Sequence, residues 1–102
     1  SRSGYIEVSK SANFTLGGLN IDKLLDDEIV ILCNVNGAAG SVNCTSIPAS
    51  SIKGQRLRLV NDSTINSITV LQTAIDVTAQ SDTIITAGGS HVFVSDGLSW
   101  RP

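Results

Sequence analysis

Short segments in which apolar and polar residues alternate are the feature that most limits what this chain can fold into. In residues 90–95, Val92 and Val94 share one face of a predicted strand. His91 and Phe93 share the opposite face. Similar segments, rich in β-branched residues and separated by turn formers, recur at about the 8–12-residue spacing that is typical of sandwiches and barrels. The pattern predicts an all-β domain, built as an antiparallel β-sandwich or roll with a jelly-roll-like layout.

Asp96 and Gly97 predict a tight hairpin turn near the end of the chain. Both central residues of a type I′ turn need positive φ, and the pair Asp-Gly is strongly preferred there. Such a turn would place Phe93 directly opposite Trp100. This aromatic cross-strand pair is expected to fix the register of the two strands.

The strongest strand is predicted at residues 28–35, which carry apolar side chains on both faces. One face is formed by alternate apolar residues beginning at Ile29, and the other by Val30 and Leu32. Apolar residues on both faces indicate a central strand, or a strand whose second face is covered by another sheet or subunit.

Three further segments complete the outline of the fold. Residues 55–61 alternate, with Leu57 and Leu59 predicted to point inward and Arg56, Arg58 and Val60 outward. Residues 74–77 are predicted to form a short strand, and residues 19–27 a loop or a brief helical turn.

Composition restricts the class of protein. The 102 residues are expected to form a single β domain, residues 1–102. Only 16% of them are charged, against about 25% in ordinary soluble domains, so part of the surface is expected to be covered by another chain. The net charge of −2 gives no basic patch for nucleic acid. The longest apolar run, residues 29–33, is too short to span a bilayer, so no membrane insertion is expected.

Two cysteines, Cys33 and Cys44, flank a predicted hairpin connection. A turn centred on Ala38 and Ala39 would place the two cysteines opposite each other, whereas a type I′ turn at Asn36 and Gly37 would place Cys33 opposite Gly40. Buried free thiols are the favoured interpretation, because free cysteine behaves as a small apolar residue. The sequence leaves open whether the two are bonded.

No catalytic or cofactor site is predicted. His91 is the only histidine, and its sequence neighbours on a strand point to the opposite face, so it is expected to be an ordinary strand residue. The acidic run Asp22, Asp26, Asp27 and Glu28 lacks the spacing of a calcium loop and is interpreted as a solvated loop. We therefore expect no metal, no cofactor and no enzymatic activity of the domain itself.

Four residues are candidates for ligand binding: Tyr5, Arg56, Arg58 and Trp100. Aromatic faces combined with planar hydrogen-bond donors suit a carbohydrate. The competing interpretation places Trp100 in the core beside Phe93 and the two arginines on a polar face or at a subunit contact.

A family resemblance rests on the second half of the chain, about residues 54–101. Residues 54–62 read Gly-Gln-Arg-Leu-Arg-Leu-Val-Asn-Asp, and residues 96–100 read Asp-Gly-Leu-Ser-Trp. Ile68-Thr69-Val70 and residues 86–90, Thr-Ala-Gly-Gly-Ser, lie between them. The pattern "G-x-x-L-x-L-x-N" followed by a closing "D-G-x-x-W" resembles distal β domains of bacteriophage tail fibres, tailspikes and neck appendages.

The resemblance implies a β module excised from a longer fibre or spike protein. Such modules assemble as homotrimers, help chains find register and in some cases contact host cell-surface glycan. The implied location is the virion, in a tail or neck appendage assembled in the host cytoplasm. The expected function is therefore a structural and host-adsorption module that forms trimers.

Two alternatives remain at this point. The first is a self-cleaved intramolecular chaperone domain of a tailspike, with Ser1 as its new N-terminus. Ser1 is equally compatible with an arbitrary boundary. The second alternative is a stand-alone carbohydrate-binding module.

Overall fold

The computed structural model describes residues 3–17, 28–75 and 81–102 of the chain. These residues form nine strands and one short helix: β1 (Ser3–Ser9), β2 (Phe14–Thr15), β3 (Glu28–Asn34), β4 (Val42–Ser46), β5 (Arg56–Asn61), β6 (Ile68–Val70), α1 (Gln72–Ile75), β7 (Thr83–Ile85), β8 (Ser90–Ser95) and β9 (Trp100–Arg101).

The strands form two facing sheets. One sheet has five strands in the order β1-β3-β5-β8-β9, and the other has four in the order β2-β4-β6-β7. Up to β6 the chain alternates between the sheets, and each strand pairs in parallel with the strand that preceded it in the same sheet. The first six strands are therefore three stacked coils, and β7, β8 and β9 add antiparallel strands at the far side.

The predicted all-β sandwich is confirmed, but the predicted antiparallel pairing holds only for the last three strand pairs. The other four pairs are parallel, so the layout is not jelly-roll-like in its first half. Parallel neighbours need a crossover connection, which is most often a helix. Here the crossover is a strand of the opposite sheet. The alternation of apolar and polar residues shows which face of a strand is buried, but it does not show in which direction the neighbouring strand runs.

A single core lies between the sheets. In β3 and β5 every second residue is buried, so the predicted inward faces of both strands are confirmed. Burying each large aliphatic side chain contributes about 1.5–3 kcal/mol, which makes this alternation the main determinant of the fold. The buried cluster includes Ile29, Ile31, Leu57, Leu59 and Phe93 from the five-stranded sheet, and Val42, Cys44, Ile68, Val70 and Ile85 from the four-stranded sheet.

Asparagine side chains join one coil to the next. The Asn34 side chain donates its Nδ2–H to the carbonyl oxygen of Asp62 at 2.7 Å. Asn66 has a φ of 71° and donates its Nδ2–H groups to the carbonyl oxygens of Val35 and Ala38 at 3.0 and 2.9 Å. The carbonyl oxygens that accept these bonds lie in segments between strands, where strand pairing does not provide a donor. The asparagine side chains provide that donor instead.

The closing hairpin differs from the sequence prediction. Ser95 pairs with Trp100, so the connection has four residues and Phe93 does not lie opposite Trp100. Gly97 has a φ of 94°, whereas Asp96 does not have positive φ, which excludes the type I′ turn. The Asp96 carboxylate instead accepts hydrogen bonds from the loop's own backbone, which favours the wider loop. Phe93 and Trp100 are diagonal neighbours on the inner face, and both are buried.

Hydrogen bonds fasten this hairpin to the connection between β4 and β5. The Ser95 hydroxyl donates to the carbonyl oxygen of Ser50 at 2.9 Å, and the Gly54 amide donates to the carbonyl oxygen of Ser95 at 2.8 Å. Trp100 donates its Nε1–H to the carbonyl oxygen of Pro48 at 2.9 Å. The last strand is therefore part of the closed core.

The hairpin predicted between Cys33 and Cys44 is wrong, because β3 and β4 belong to different sheets. Both cysteines are buried free thiols, in agreement with the favoured interpretation. They lie on the inner faces of the two sheets, and burial raises the pKa of each thiol from 9.0 to about 11.

The short strand predicted at residues 74–77 is also wrong where the structure describes it, since residues 72–75 form the helical turn α1. The Asp82 carboxylate accepts a hydrogen bond from the Gln72 amide at 2.9 Å and so caps this turn. Ala74 and Ile75 are buried against the core. The loop predicted at residues 19–27 lies outside the described residues.

Candidate functional site

The side of the five-stranded sheet that faces away from the core, here called the outer face, collects three of the four predicted binding positions. Tyr5 pairs in register with Val30, Val30 with Arg58, and Arg58 with Val92. Residues paired in a sheet share one face. Tyr5 and Arg58 therefore occupy one row across the outer face, on either side of Val30.

Arginines form one end of this face. Glu28, Arg56 and Val94 occupy the neighbouring row, and Arg101 pairs with Val94 at the edge. Arg56, Arg58 and Arg101, here called the basic end, are all the arginines that the structure describes.

Carboxylates orient the arginine side chains. Arg58 donates its Nε–H to Glu28 Oε1 at 3.0 Å, and Arg56 Nη2 lies 3.6 Å from Glu28 Oε2. Arg101 donates its Nε–H to Asp96 Oδ2 at 2.9 Å. Each pair is partly exposed and contributes about 0–1 kcal/mol to stability, so the role of these carboxylates is to position the guanidinium groups.

Acidic side chains lie at the opposite end of the outer face. Glu7 and Asp62, here called the acidic end, line a depression of about 320 Å³ together with Leu32 and Asn34. Both carboxylate residues are exposed. Asp62 follows β5 immediately and Arg56 begins it, so about 20 Å of strand separates the two ends.

Apolar side chains fill the middle of the outer face. Val30, Leu32, Val60 and Val92 are half-buried there, and Val94 is 41% exposed. The apolar second face predicted for residues 28–35 is therefore present, on a central strand of the sheet. No described residue of the chain packs as a further layer on it.

Trp100, the fourth predicted binding residue, lies on the inner face. It is 1% exposed and its indole Nε1–H is bound to the carbonyl oxygen of Pro48. A sugar cannot stack on this ring unless the core opens. The structure therefore separates Trp100 from the other three candidates and supports its interpretation as a core residue; whether Tyr5, Arg56 and Arg58 bind a ligand stays a prediction.

His91 lies on the inner face of the five-stranded sheet, opposite Leu59, and is half-buried. Its ring centroid lies 4.8 Å from that of Phe93, and its Nε2 is buried without a hydrogen-bond partner in the described part of the chain. Within residues 3–17, 28–75 and 81–102, no three histidine, cysteine or acidic side chains are grouped so that they could hold a metal ion. Over the same ranges, no helix is long and apolar enough to cross a membrane.

The separation of charge on the outer face was not predicted from the sequence. Arg56 and Arg58 are close in sequence, but Arg101 joins them only through the pairing of β5, β8 and β9. Glu7 and Asp62 come together because β1, β3 and β5 run in parallel. The one available signal was the alternation of arginine and leucine in residues 56–59.

Comparison with known proteins gives a family. A model of the phage depolymerase C-terminal beta sandwich domain matches residues 10–101. The match includes Arg56, Arg58 and Trp100, whereas Tyr5 lies before it. No curated protein and no solved structure matches the chain.

Proposed function

The chain belongs to the phage depolymerase C-terminal beta sandwich domain family, and from this membership we propose that it is the assembly module of its parent tail protein, joining the parent chains as a homotrimer. Membership makes it a domain of a phage tail protein and hence a virion component. In this proposal the chemistry of the depolymerase belongs to other parts of the parent protein, and this domain supplies structure.

The apolar middle of the outer face carries the proposal. A sheet with one solvated face ordinarily presents polar residues on that face. Here the central strand β3 presents Val30 and Leu32 outward, although its inward residues already fill the core. Covering such a face with another subunit removes apolar surface from water at about 25 cal/mol per Å². The low charged fraction of the chain supports the same conclusion.

The mass of the chain in solution tests the proposal. Light scattering at micromolar concentration is expected to give three times the 10.6 kDa of one chain. A mass of one chain over that concentration range would contradict it, since the domain alone would then have no tendency to join copies.

As an alternative use of the same residues, we propose that the domain contributes to host adsorption by contacting cell-surface glycan through Tyr5, Arg56 and Arg58. Two planar guanidinium groups on one face, held by Glu28, favour this role because they can donate paired hydrogen bonds to sugar hydroxyls and carboxylates. Binding of the purified host polysaccharide by the variant Arg56→Ala/Arg58→Ala is expected to fall, while Lys53→Ala retains it. Equal binding by the two variants would show that Arg56 and Arg58 do not contact the polysaccharide.

A further inference from the structure

We propose that the acidic end of the outer face in one copy of the chain docks on the basic end of the outer face in the next copy. The inference rests on the proposed function, in which copies of the chain associate. The inference identifies the surface through which the copies associate and the orientation of neighbouring copies.

The two ends of the outer face differ in net charge, because Glu28 and Asp96 offset two of the three arginines at the basic end, whereas the acidic end carries two carboxylates. Arg56, Arg58 and Arg101 lie where β5 begins, and Glu7 and Asp62 lie where β1 and β5 end. About 20 Å of strand separates Asp62 from Arg56, and Glu7 lies level with Val60, about 7 Å along the strands from Arg58. Among the described residues, no ion pair joins the two groups within one chain. A second copy can bring them together.

Two of the arginines, Arg56 and Arg58, have donors for such a contact. Arg58 donates its Nε–H to Glu28, and the four N–H donors of its two Nη groups are additional to this hydrogen bond. Arg56 meets Glu28 only at 3.6 Å, longer than a good hydrogen bond. A carboxylate from another copy can therefore bind at the basic end without breaking the ion pairs inside the chain.

The residue types of the face match those of protein–protein contacts. Interfaces are enriched in arginine and tyrosine and depleted in lysine. The outer face carries all three described arginines and the position of Tyr5, whereas the described lysines lie elsewhere. Lys10 sits over the ring of Phe14, and Lys53 lies in the connection before β5. The apolar middle provides area, and the two charged ends provide orientation.

The other sheet shows no comparable division. One outward row of that sheet consists of Asn43, Thr69 and Ile84, which pair across β4, β6 and β7. This row has one exposed apolar side chain, Ile84 at 67%, and no charge. It therefore offers a matched reference surface on the same molecule.

A ring of copies uses two different patches of each subunit, one toward each neighbour. The acidic and basic ends are such a pair of complementary patches. Contact between the acidic end of one copy and the basic end of the next accordingly permits a closed trimer in which every copy has the same environment.

The experiment neutralises the acidic end in the full 102-residue chain. Glu7→Gln/Asp62→Asn raises the net charge by two, and so does the control Ser41→Lys/Ile84→Lys, at two exposed positions in or beside the four-stranded sheet. We expect the association of the first variant to be weakened by about tenfold or more and to depend less on salt concentration. We expect the control to associate like the unmodified chain. Equal association of the two variants would overturn the inference.

A second pair of variants tests the apolar middle. Val60→Asp places a charge at the centre of the outer face, and Ile84→Asp places the same charge on the other sheet. We expect Val60→Asp to be monomeric and Ile84→Asp to remain associated, with thermal melting used to establish that both are folded. If Val60→Asp does not fold, the comparison of Glu7→Gln/Asp62→Asn with its control decides whether the outer face is the docking surface.

The outcomes separate this inference from the proposed function. An unmodified chain that forms trimers, together with folded outer-face variants that also form trimers, would refute the docking surface and leave the assembly role intact. A monomeric unmodified chain would refute the assembly role itself.

Discussion

The Asp96 carboxylate joins the loop between β8 and β9 to the last strand, since its Oδ2 accepts a hydrogen bond from Arg101 Nε at 2.9 Å. Its Oδ1 accepts hydrogen bonds from the backbone amides of Ser99 and Leu98 at 2.8 and 2.9 Å. The four-residue connection is therefore organised by one side chain, which also holds Arg101 at the basic end of the outer face.

Removing this carboxylate is expected to destabilise the protein in a pH-dependent way. The amides of Ser99 and Leu98, and then Arg101, hold the pKa of Asp96 well below its usual range. A lowered pKa stabilises the folded state above the ordinary aspartate value of about 3.9 and loses that contribution as the pH falls below it. Asp96→Asn should therefore melt at a lower temperature at pH 7, and the difference should shrink as the pH falls below about 4.

Thermal melts at pH 7 and pH 3 measure this effect. Leu98→Ala serves as a control because it changes an exposed side chain of the same loop and removes no charge. An equal loss of stability in Asp96→Asn at both pH values would show that the charge of the carboxylate is not what holds the loop.

The indole hydrogen bond of Trp100 is expected to contribute measurably to stability. Trp100→Phe keeps an aromatic ring in the core but leaves the carbonyl oxygen of Pro48 without its donor. An acceptor that loses its partner costs about 1–3 kcal/mol. Urea unfolding is expected to show this loss, whereas Leu98→Ala, at a position that is 86% exposed, should change stability by less than about 0.5 kcal/mol. Equal stability of Trp100→Phe and the unmodified chain would argue against the hydrogen bond.

Gly97 is expected to be required for the conformation of the same loop. Its φ of 94° lies in the region that favours glycine, and an added Cβ would meet Lys53 Cβ at 3.8 Å, which is ordinary contact. The cost of Gly97→Ala is therefore conformational, about 1–2 kcal/mol. Gly40→Ala is the matched control, since that glycine has no positive φ and no atom within 4 Å of an added Cβ. A larger loss of stability in the control would contradict the assignment.

The buried thiols are expected to resist modification in the folded protein. Burial raises the pKa of Cys33 and Cys44 to about 11, so little thiolate forms near neutral pH. A thiol reagent at pH 8 should label neither cysteine in buffer and both in denaturant. Fast labelling of the folded chain would show that the core opens readily.

The same thiols predict an alkaline loss of stability. A raised pKa stabilises the folded state below the ordinary thiol value and loses that contribution as the pH rises from about 9 to 11. Each thiol contributes on the order of 2 kcal/mol to this loss. The variant Cys33→Ala/Cys44→Ala should be less stable at pH 8 because of its smaller core, yet lose less between pH 9 and 11. A parallel decline in the two proteins would contradict the linkage.

The buried faces could be predicted from the sequence, because the alternation of apolar and polar residues is a property of a single strand. Leu57 and Leu59 were placed inward, and Arg56 was placed outward, from residues 55–61 alone. The direction of neighbouring strands could not be obtained in this way. It depends on the route of the chain between sheets, which the alternation of β3 and β5 does not reveal.

The candidate site was partly predictable for the same reason. The arginines of β5 were recognised as outward polar residues, but Trp100 was grouped with them on chemistry alone, although it lies on the inner face. The expected pairing of Trp100 with Phe93 was wrong because the hydrogen bonds of Asp96 widen the turn. A side-chain cap of this kind outweighs the preference of Asp-Gly for a two-residue turn.

The mass of the unmodified chain in solution tests the central claim most directly. Light scattering at micromolar concentration should give three times the 10.6 kDa of one chain, in agreement with a module that joins parent chains through its outer face. A mass of one chain, unchanged on concentration, would contradict that account.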